Sequence, residues 1–336
     1  MTDVPQYKKK DFVSDQEVKW CPGCGDYAIL SAVQLAMTKL GREKKDITFI
    51  SGIGCSSRFP YYMDTYGLHT IHGRAPGFAS GLKTFNPDLA VWLITGDGDG
   101  LSIGGNHFIH AVRRNMDINI ILFNNEIYGL TKGQYSPTSK PGIVTKSSPF
   151  GSIDLPFSPA RVALGAGATF YARTIDTDPK HMQETFLKAA EHKGCSVIEV
   201  FQNCIIFNDK VHDQYTNRAT RDDYSVRLEN GKPLIYGKEK NLGLKLNGFK
   251  VENVTIGEAG ATEADLIVHD ETDPNMASIL SNLELPEHPI PIGVLKSVDA
   301  PVYDQGVTAQ IEAVTEKKGK GDMKALLKKG DIWEVS

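Results

Sequence analysis

The chain has 336 residues, of which 40% are hydrophobic and 23% are charged, and its formal net charge is −4. This composition is typical of a globular protein and excludes a disordered chain, and the weak negative charge gives no reason to expect nucleic acid or a membrane surface as a partner. Residues 1–13 lack the apolar core of a signal peptide, and no stretch of about 18 apolar residues could span a membrane. We therefore expect a cytoplasmic protein.

Short apolar strands alternate with amphipathic helices from about residue 20 to residue 207. This alternation predicts an α/β fold, in which a parallel sheet is flanked by helices on both faces. We expect an N-terminal arm over 1–19, a binding domain over 20–207 and a mixed C-terminal extension over 208–336. Strands are predicted at 47–51, 70–72, 90–94, 118–123, 168–172 and 196–200, and helices at 26–40, 78–85, 103–115, 158–167 and 179–193.

Two further stretches have a distinctive composition. Residues 129–158 are rich in Gly, Ser, Thr, Pro and Lys, which predicts a long loop, and a loop of that length in a compact domain is expected to cover a site. Residues 218–251 carry many charges and glycines, which predicts hairpins in the C-terminal extension.

Acidic and amide side chains follow two neighbouring strands of the predicted sheet. Gly96-Asp97-Gly98-Asp99-Gly100 comes directly after one strand, and Asn124-Asn125 follows the next, with 26 residues between Gly98 and Asn125. In open parallel sheets, ligands bind beyond the carboxyl ends of the strands. Asp97, Asn125 and the backbone carbonyl of Ile127 offer the oxygen atoms that Mg²⁺ prefers, and glycines let the backbone approach phosphate groups. The spacing therefore predicts a site for a cation and a diphosphate.

Four of the five cysteines are predicted to meet at one edge of the sheet. Cys21 and Cys24 form a Cys-x-x-Cys motif at the start of a helix, where the helix dipole favours thiolates, and Cys55 and Cys204 each follow a strand. Four thiolates suit an iron–sulfur cluster or a structural zinc ion, and the spacing leaves both open, together with a thioredoxin-like redox pair. Cys195 is interpreted as a small buried apolar residue.

The acidic and amide motifs resemble a known fingerprint, since GDG followed 26 residues later by NN is the thiamine-diphosphate signature. Residues 96–139, GDGDGLSIGGNHFIHAVRRN to NNEIYGLTKGQYSPTS, resemble the β subunit of 2-oxoacid:ferredoxin oxidoreductases. The resemblance covers roughly residues 15–210 with specific motifs and the rest of the chain only loosely. It implies a thiamine-diphosphate-binding fold in which Mg²⁺ is held by Asp97, Asn125 and Ile127. It also places four residues along the diphosphate and the thiazolium: Gly98, Asp99, Gly129 and Leu130.

The cysteines match the same family, whose β subunits carry a CPxCG motif, a GIGCS loop and a late cysteine. The resemblance implies that one 4Fe–4S cluster is held by Cys21, Cys24, Cys55 and Cys204, because a cluster can carry electrons away singly whereas zinc cannot. It also implies that the loop Ile53-Gly54-Cys55-Ser56 passes the thiamine cofactor while it binds the cluster. The sequence lacks the dense cysteine run of ferredoxin domains, so a separate ferredoxin is the expected electron acceptor.

Three further side chains are candidates for the catalytic site. Arg58 is the first candidate for binding a substrate carboxylate, through bidentate pairing, and Lys132 is a weaker candidate for the same role. His72 lies in a His-Gly-Arg sequence that resembles the family's HGR, and we expect it to hydrogen-bond the diphosphate or the reacting carbonyl. The alternatives are a surface ion pair for Arg58 and a histidine satisfied by backbone for His72.

The remaining implications concern the partner and the reaction. The sequence after residue 207 is too irregular for a second α/β domain, so the resemblance implies a separate α subunit, which supplies the glutamate that activates thiamine. The expected assembly is a heterodimer or a dimer of heterodimers. The implied reaction is oxidative decarboxylation of a 2-oxoacid with coenzyme A, which runs in reverse when ferredoxin is sufficiently reduced. The sequence context favours 2-oxoglutarate, with pyruvate as the alternative.

Two hypotheses from other classes stay open at this point. A non-redox thiamine decarboxylase or transketolase half would keep the magnesium and diphosphate site and would carry a structural zinc ion in place of the cluster. A binding scaffold would hold the cofactor without any chemistry of its own.

Overall fold

Eleven strands form one sheet in the computed structural model, which describes residues 5–333 and 335. In the centre of this sheet the strands are continuous apolar runs, as expected for strands that are buried on both faces. The strands are β1 (Ile47–Ser51), β2 (Tyr66–His69), β3 (Ala90–Gly96), β4 (Ile118–Asn124), β5 (Phe170–Ile175), β6 (Ser196–Phe201), β7 (Ser225–Arg227), β8 (Ile235–Tyr236), β9 (Leu242–Asn247), β10 (Lys250–Thr255) and β11 (Ile290–Ser297).

The strand order is β10-β9-β8-β7-β11-β5-β6-β4-β3-β1-β2. The six strands from β5 to β2 in this order are parallel to one another, and β11 joins them antiparallel to β5. In the register, Gly96 of β3 pairs with Phe123 of β4, and Asn124 pairs with Phe201 of β6. These three strands therefore end level with one another, and the segments that follow them emerge side by side.

Helices cover both faces of the parallel part, which confirms the predicted fold class. On one face, Trp92 and Phe123 pack against α1 and α6; on the other, Leu93 and Leu122 pack against α2 and α4. Neighbouring residues of one strand thus serve opposite cores, as the two-residue period of a strand requires. The helices are α1 (Asp26–Met37), α2 (Ala75–Phe85), α3 (Asp97–Leu101), α4 (Gly105–Arg113), α5 (Pro159–Gly165), α6 (Pro179–Glu191), α7 (Asp213–Thr216), α8 (Arg221–Tyr224), α9 (Pro274–Ser281), α10 (Tyr303–Lys318) and α11 (Met323–Leu327).

Several predicted boundaries differ from the structure. The strand predicted at 70–72 is wrong, since β2 occupies Tyr66–His69 and all four of its residues are exposed, so it carries no apolar signal. The helix predicted at 103–115 is wrong in its first turn. A separate short helix, α3, begins at Asp97, and α4 starts only at Gly105. Glycine-rich sequence favours a turn, and here tertiary contacts override that preference.

The C-terminal part of the chain extends the same sheet. The hairpin of β9 and β10 confirms the prediction of hairpins after residue 218, and β11 returns to lie beside β5. The division at residue 207 stays a prediction, and the sheet itself continues across it. No helix of the described residues combines the length and apolar character that a membrane span needs.

Candidate active site

The segments that follow β1, β3 and β4 enclose a cavity of about 120 Å³ at the carboxyl end of the sheet. The twelve residues predicted to bind the magnesium ion, the diphosphate or the thiazolium all line it, together with Asp26 and Tyr128. We call this space the diphosphate cavity. The predicted residues in its lining are Ile53, Gly54, Cys55, Ser56, His72, Asp97, Gly98, Asp99, Asn125, Ile127, Gly129 and Leu130.

Asp97 is the first carboxylate of this cavity and is only 2% exposed. Its Oδ2 accepts hydrogen bonds from Ser136 Oγ at 2.5 Å and from Thr138 Oγ1 at 2.6 Å. Burial raises the pKa of Asp97 to about 6, and the hydrogen bonds from the two hydroxyl groups oppose this shift. A bound cation would supply the positive charge that a buried carboxylate needs.

The two asparagines of the Asn124-Asn125 pair point in different directions. Asn124 is buried, and its Nδ2 donates to Glu199 Oε1 at 2.8 Å, away from the cavity. Asn125 lines the cavity; its Oδ1 accepts from the backbone N–H of Ile127 at 3.2 Å, and its Nδ2 donates to Gln202 Oε1 at 2.7 Å. Asp97 and Asn125 thus bring a carboxylate and a side-chain amide to the lining of the cavity, which suits a hard cation such as Mg²⁺.

Asp99 holds three loops together below the cavity. Its Oδ1 accepts from the backbone N–H groups of Ile53 at 3.0 Å and Gly73 at 2.7 Å, and it lies 2.6 Å from His72 Nδ1. Its Oδ2 accepts from Thr95 Oγ1 at 2.7 Å. Because Asp99 engages Nδ1 of His72, Nε2 is the ring nitrogen that is left to meet a ligand. The predicted contact of Asp99 with the diphosphate stays a prediction.

Tyr128 narrows the diphosphate cavity beside the glycine-rich segment. Its hydroxyl donates to the carbonyl oxygen of Gly98 at 3.1 Å. A Cβ atom at position 98 would lie 2.1 Å from the ring of Tyr128, so only glycine allows this close approach. Sequence reasoning did not select Tyr128, because a tyrosine in a turn can have many structural roles.

A second cavity, of about 240 Å³, is lined by Cys21, Cys24, Cys55 and Cys204. We call it the cysteine cavity, and it confirms the predicted convergence of these four residues. The first two lie just before α1, and the indole Nε1 of Trp20 donates to the carbonyl oxygen of Cys55 at 2.6 Å, which ties two of the cysteine loops together. Cys195 is completely buried and lies in the apolar core, as interpreted from the sequence.

The thiols surround a space and do not converge on a point. A Cβ atom at Gly129 would lie 3.5 Å from the Sγ atoms of both Cys55 and Cys204, so the backbone of residue 129 lies beside both of these thiols. Among the described residues, no group of three or more His, Cys, Asp or Glu side chains is arranged to hold a single metal ion. Burial is the largest cause that raises the pKa of Cys55 to about 12 and the pKa of Cys24 well above its ordinary range.

The two cavities share a wall. Five residues line both of them: Asp26, Cys55, Asn125, Gly129 and Leu130. A group bound in the diphosphate cavity would therefore be separated from a group bound among the cysteines by the thickness of one layer of side chains and backbone.

Comparisons with known proteins identify the family of this chain. The sequence profile of the thiamine pyrophosphate enzyme C-terminal TPP-binding domain matches residues 52–200. The chain is 46% identical to the 2-oxoglutarate oxidoreductase subunit KorB of Mycobacterium tuberculosis, over 99% of this chain and 90% of that protein. It is 47% identical to the 2-oxoacid:ferredoxin oxidoreductase subunit beta of Saccharolobus solfataricus, over 59% of this chain and 66% of that protein. The chain belongs to the 2-oxoacid:ferredoxin oxidoreductase β-subunit family.

A solved structure supports the same assignment. The 2-oxoglutarate:ferredoxin oxidoreductase from Magnetococcus marinus, with 2-oxoglutarate, coenzyme A and succinyl-CoA bound, superimposes with a TM-score of 0.78. The two chains are 33% identical, and the superposition covers 98% of each. The family resemblance carried by residues 96–139 is therefore confirmed, and so is the fold class that it implied.

Of the three catalytic candidates, only His72 lines the diphosphate cavity of this β subunit. Arg58 and Lys132 both line the cysteine cavity, and Arg58 also lines a neighbouring open cleft beside Ile53 and Leu130. Arg58 thus lies where the cysteine cavity meets the open cleft, whereas Lys132 lines the cysteine cavity without lining that cleft. Among the ion pairs of the described residues, Arg58 has none, so the surface ion pair considered as its alternative is absent.

The long loop predicted at 129–158 covers the site as expected. It contains no helix or strand, and it delivers Ser136 and Thr138 to Asp97. Sequence reasoning missed these two hydroxyl groups because no recognisable motif or spacing relates them to Asp97 along the chain. It also missed Glu199, which supports Asn124 from inside the core.

Proposed function

We propose that this chain is the β subunit of an enzyme that oxidatively decarboxylates 2-oxoglutarate with coenzyme A and passes the electrons to ferredoxin. The single observation that carries the proposal is the wall shared by the diphosphate and cysteine cavities. Such a wall would bring an electron donor in one cavity next to an electron acceptor in the other. The names of the relatives from Mycobacterium tuberculosis and Archaeoglobus fulgidus, both 2-oxoglutarate enzymes, support the choice of substrate.

The diphosphate cavity fits thiamine diphosphate and Mg²⁺. Asp97, Asn125 and the carbonyl of Ile127 would hold the cation, while the backbone from Gly98 and from Gly129 would lie along the cofactor. Thiamine diphosphate, when bound, supplies a carbon nucleophile for the keto carbon of the substrate. His72 is oriented by Asp99 at 2.6 Å, so its Nε2 is available for a hydrogen bond to the diphosphate or to the reacting carbonyl.

The cysteine cavity fits a 4Fe–4S cluster held by Cys21, Cys24, Cys55 and Cys204. Thiols that surround a cavity suit a cluster with several metal atoms, whereas a structural zinc ion needs four ligands around one point. When bound, the cluster accepts electrons one at a time. Gly129 lines both cavities, so its backbone would lie in the wall between the cluster and the thiamine cofactor.

Arg58 is our candidate for binding the carboxylate that distinguishes 2-oxoglutarate from pyruvate. It lines both the cysteine cavity and the open cleft that adjoins Ile53 and Gly54. Its guanidinium can pair with a carboxylate through two parallel hydrogen bonds. Lys132 remains a weaker candidate, since it offers only a point charge from the cysteine side.

The proton chemistry of thiamine activation requires a partner chain. Among the described residues, the acids that line the diphosphate cavity are Asp26, Asp97 and Asp99, and no glutamate lines it. An α subunit would therefore supply the activating glutamate, in a cytoplasmic heterodimer or dimer of heterodimers. The same site would catalyse reductive carboxylation when ferredoxin is sufficiently reduced.

The test is to purify the chain together with its α subunit and to measure viologen reduction with coenzyme A and each 2-oxoacid. We expect the highest kcat/KM with 2-oxoglutarate, and faster turnover with pyruvate or a branched 2-oxoacid would overturn the substrate assignment. A colourless preparation that contains zinc instead of iron would overturn the redox function. The Asp97→Ala variant should lose activity and keep its iron, which a scaffold without chemistry would not predict.

A further inference from the structure

Gln202 lies behind the predicted magnesium site, where the proposed reaction assigns it no role. It is the first residue after β6, and it is only 1% exposed. It lines the cysteine cavity together with Asn125, which also lines the diphosphate cavity. A buried side-chain amide must find partners for both its oxygen and its nitrogen, so the contacts of Gln202 show what it holds in place.

The nitrogen of the Gln202 side chain faces groups that accept hydrogen bonds. Nε2 donates to the backbone carbonyl oxygen of Asn203 at 2.5 Å and to Sγ of Cys24 at 3.3 Å. A carbonyl oxygen carries no proton, so a reversed amide would set two oxygen atoms against each other. A Cβ atom at Gly25 would lie 2.9 Å from Cγ of Gln202, so the backbone also packs closely against the stem of this side chain. The orientation of the Gln202 amide is therefore fixed by its surroundings.

The oxygen of Gln202 in turn selects the orientation of Asn125. Gln202 Oε1 accepts from Asn125 Nδ2 at 2.7 Å, which holds the nitrogen of Asn125 and leaves Oδ1 as the atom that can bind a cation. The backbone N–H of Ile127 donates to Oδ1 at 3.2 Å, so it favours the same orientation through a longer contact. Mg²⁺ takes oxygen ligands, so this orientation decides whether the side chain of Asn125 can serve as one.

We propose that Gln202 is a positioning residue, which holds Asn125 with its side-chain oxygen available to the cation. The inference rests on the proposed function, since it takes Asn125 as a ligand of the Mg²⁺ that accompanies thiamine diphosphate. The contacts run from the carbonyl oxygen of Asn203 through the amide of Gln202 to the amide of Asn125. Partners of this kind orient metal ligands and raise metal affinity without touching the metal. No bond forms or breaks at Gln202.

The experiment measures Mg²⁺ binding to the complex of this chain and its α subunit, after a chelator has removed the bound cation. Calorimetric titration with Mg²⁺ at saturating thiamine diphosphate gives the Kd for the wild type and for Gln202→Met. Methionine is an unbranched side chain that fills the same space, but it offers no oxygen to Asn125 Nδ2. We expect the Kd for Mg²⁺ to rise about tenfold.

Asn125→Asp separates positioning from a packing role of Gln202. A carboxylate presents an oxygen in either orientation, and it has no N–H group to donate to Gln202, so nothing remains for Gln202 to hold. We therefore expect Asn125→Asp and the double variant Asn125→Asp/Gln202→Met to bind Mg²⁺ with a Kd ratio of about one. A packing role would instead raise the Kd by the same factor with either residue at position 125.

Gln34→Met is the matched control. Gln34 is 4% exposed, and its Nε2 donates to the backbone carbonyl oxygen of Tyr62 at 3.3 Å. It lies in α1 and lines neither of the two cavities. The control therefore also removes a buried amide from a backbone carbonyl, but away from the site, and we expect its Kd for Mg²⁺ to equal that of the wild type. Iron analysis of every variant establishes whether the rest of the complex is intact.

Each outcome decides the question. A Kd for Gln202→Met within about twofold of the wild type overturns the proposal, and so does an equal rise in Gln34→Met or in the Asn125→Asp background. If Asn125→Asp itself binds no Mg²⁺, the comparison of Gln202→Met with Gln34→Met decides.

The remaining outcomes concern assembly. If Gln202→Met loses iron or fails to assemble with the α subunit, Gln202→Leu takes its place in the same comparisons, and failure of both variants overturns positioning in favour of a structural role. A wild-type complex that binds no Mg²⁺ in the presence of thiamine diphosphate would instead refute the proposed function, a result that is distinguishable from every outcome for Gln202.

Discussion

The buried ion pair of Arg173 and Glu199 provides the prediction that can be developed furthest. Glu199 is 1% exposed, and its carboxylate accepts from Arg173 Nε at 2.9 Å, Tyr171 OH at 2.7 Å and Asn124 Nδ2 at 2.8 Å. In Glu199→Gln, the amide nitrogen must face one of these three donors. The variant therefore leaves a buried guanidinium without its counter-charge and loses at least one of these hydrogen bonds, because two N–H donors cannot bond to each other.

Removing one partner of a buried pair costs about 3–5 kcal/mol. We expect Glu199→Gln to lower the free energy of unfolding by that amount, because Arg173 is itself only 4% exposed and cannot turn to water. Equilibrium unfolding in urea measures the change, and an unchanged slope m shows that stability, and not the denatured state, has changed. Adding Arg173→Met removes the unpaired charge, so the double variant should recover part of the loss.

Glu184→Gln is the control for this experiment. It breaks an exposed pair with Lys180 at 3.8 Å, where both side chains are more than half exposed, and it should cost less than about 0.5 kcal/mol. A loss below about 1 kcal/mol in Glu199→Gln would refute the argument that the buried charge requires its partner. The same argument would be refuted if the double variant Glu199→Gln/Arg173→Met were less stable than Glu199→Gln alone.

Three further predictions concern the site itself. Cys204→Ser should lose most of the iron of the complex, whereas Cys195→Ser should keep it, and equal iron in both would contradict the assignment of the cluster ligands. Because burial raises the pKa of Asp97 to about 6, the proton competes with Mg²⁺ below that pH. Calorimetric titration with Mg²⁺ and thiamine diphosphate should show affinity that falls by about tenfold per pH unit below pH 6 and is level above it. Arg58→Met should raise the KM for 2-oxoglutarate by about tenfold or more and leave the KM for pyruvate nearly unchanged. Arg58→Lys should have a KM for 2-oxoglutarate between those of the wild type and Arg58→Met. Equal effects on both substrates would exclude a contact between Arg58 and the distinguishing carboxylate.

Sequence reasoning predicted the features that depend on strand ends. Two apolar runs with a helix between them must deliver Asp97 and Asn125 to the same edge of a parallel sheet, and the structure places both in one cavity. The same argument brought Cys55 and Cys204 together with the Cys-x-x-Cys motif. These predictions hold because a parallel sheet leaves little freedom for where consecutive strands end.

The features that the sequence did not reveal depend on tertiary contacts. The sequence alone does not distinguish the roles of Asn124 and Asn125. The alternation of side chains along an extended strand directs the first to Glu199 and the second to the cavity. The hydroxyl groups of Ser136 and Thr138 reach Asp97 from an irregular loop, where no periodicity exists to be recognised.

The position of β11 has a consequence for shortened forms of the protein. Residues 290–297 come late in the chain, yet they hydrogen-bond along β5, which belongs to the cofactor-binding half. A polypeptide that stopped near residue 207 would leave β5 as a free edge, with a row of unsatisfied N–H and C=O groups and apolar side chains beside it. Such an edge is a template for pairing between molecules. In the full chain β11 covers this edge, so we expect a protein truncated near residue 207 to aggregate more readily than the full chain.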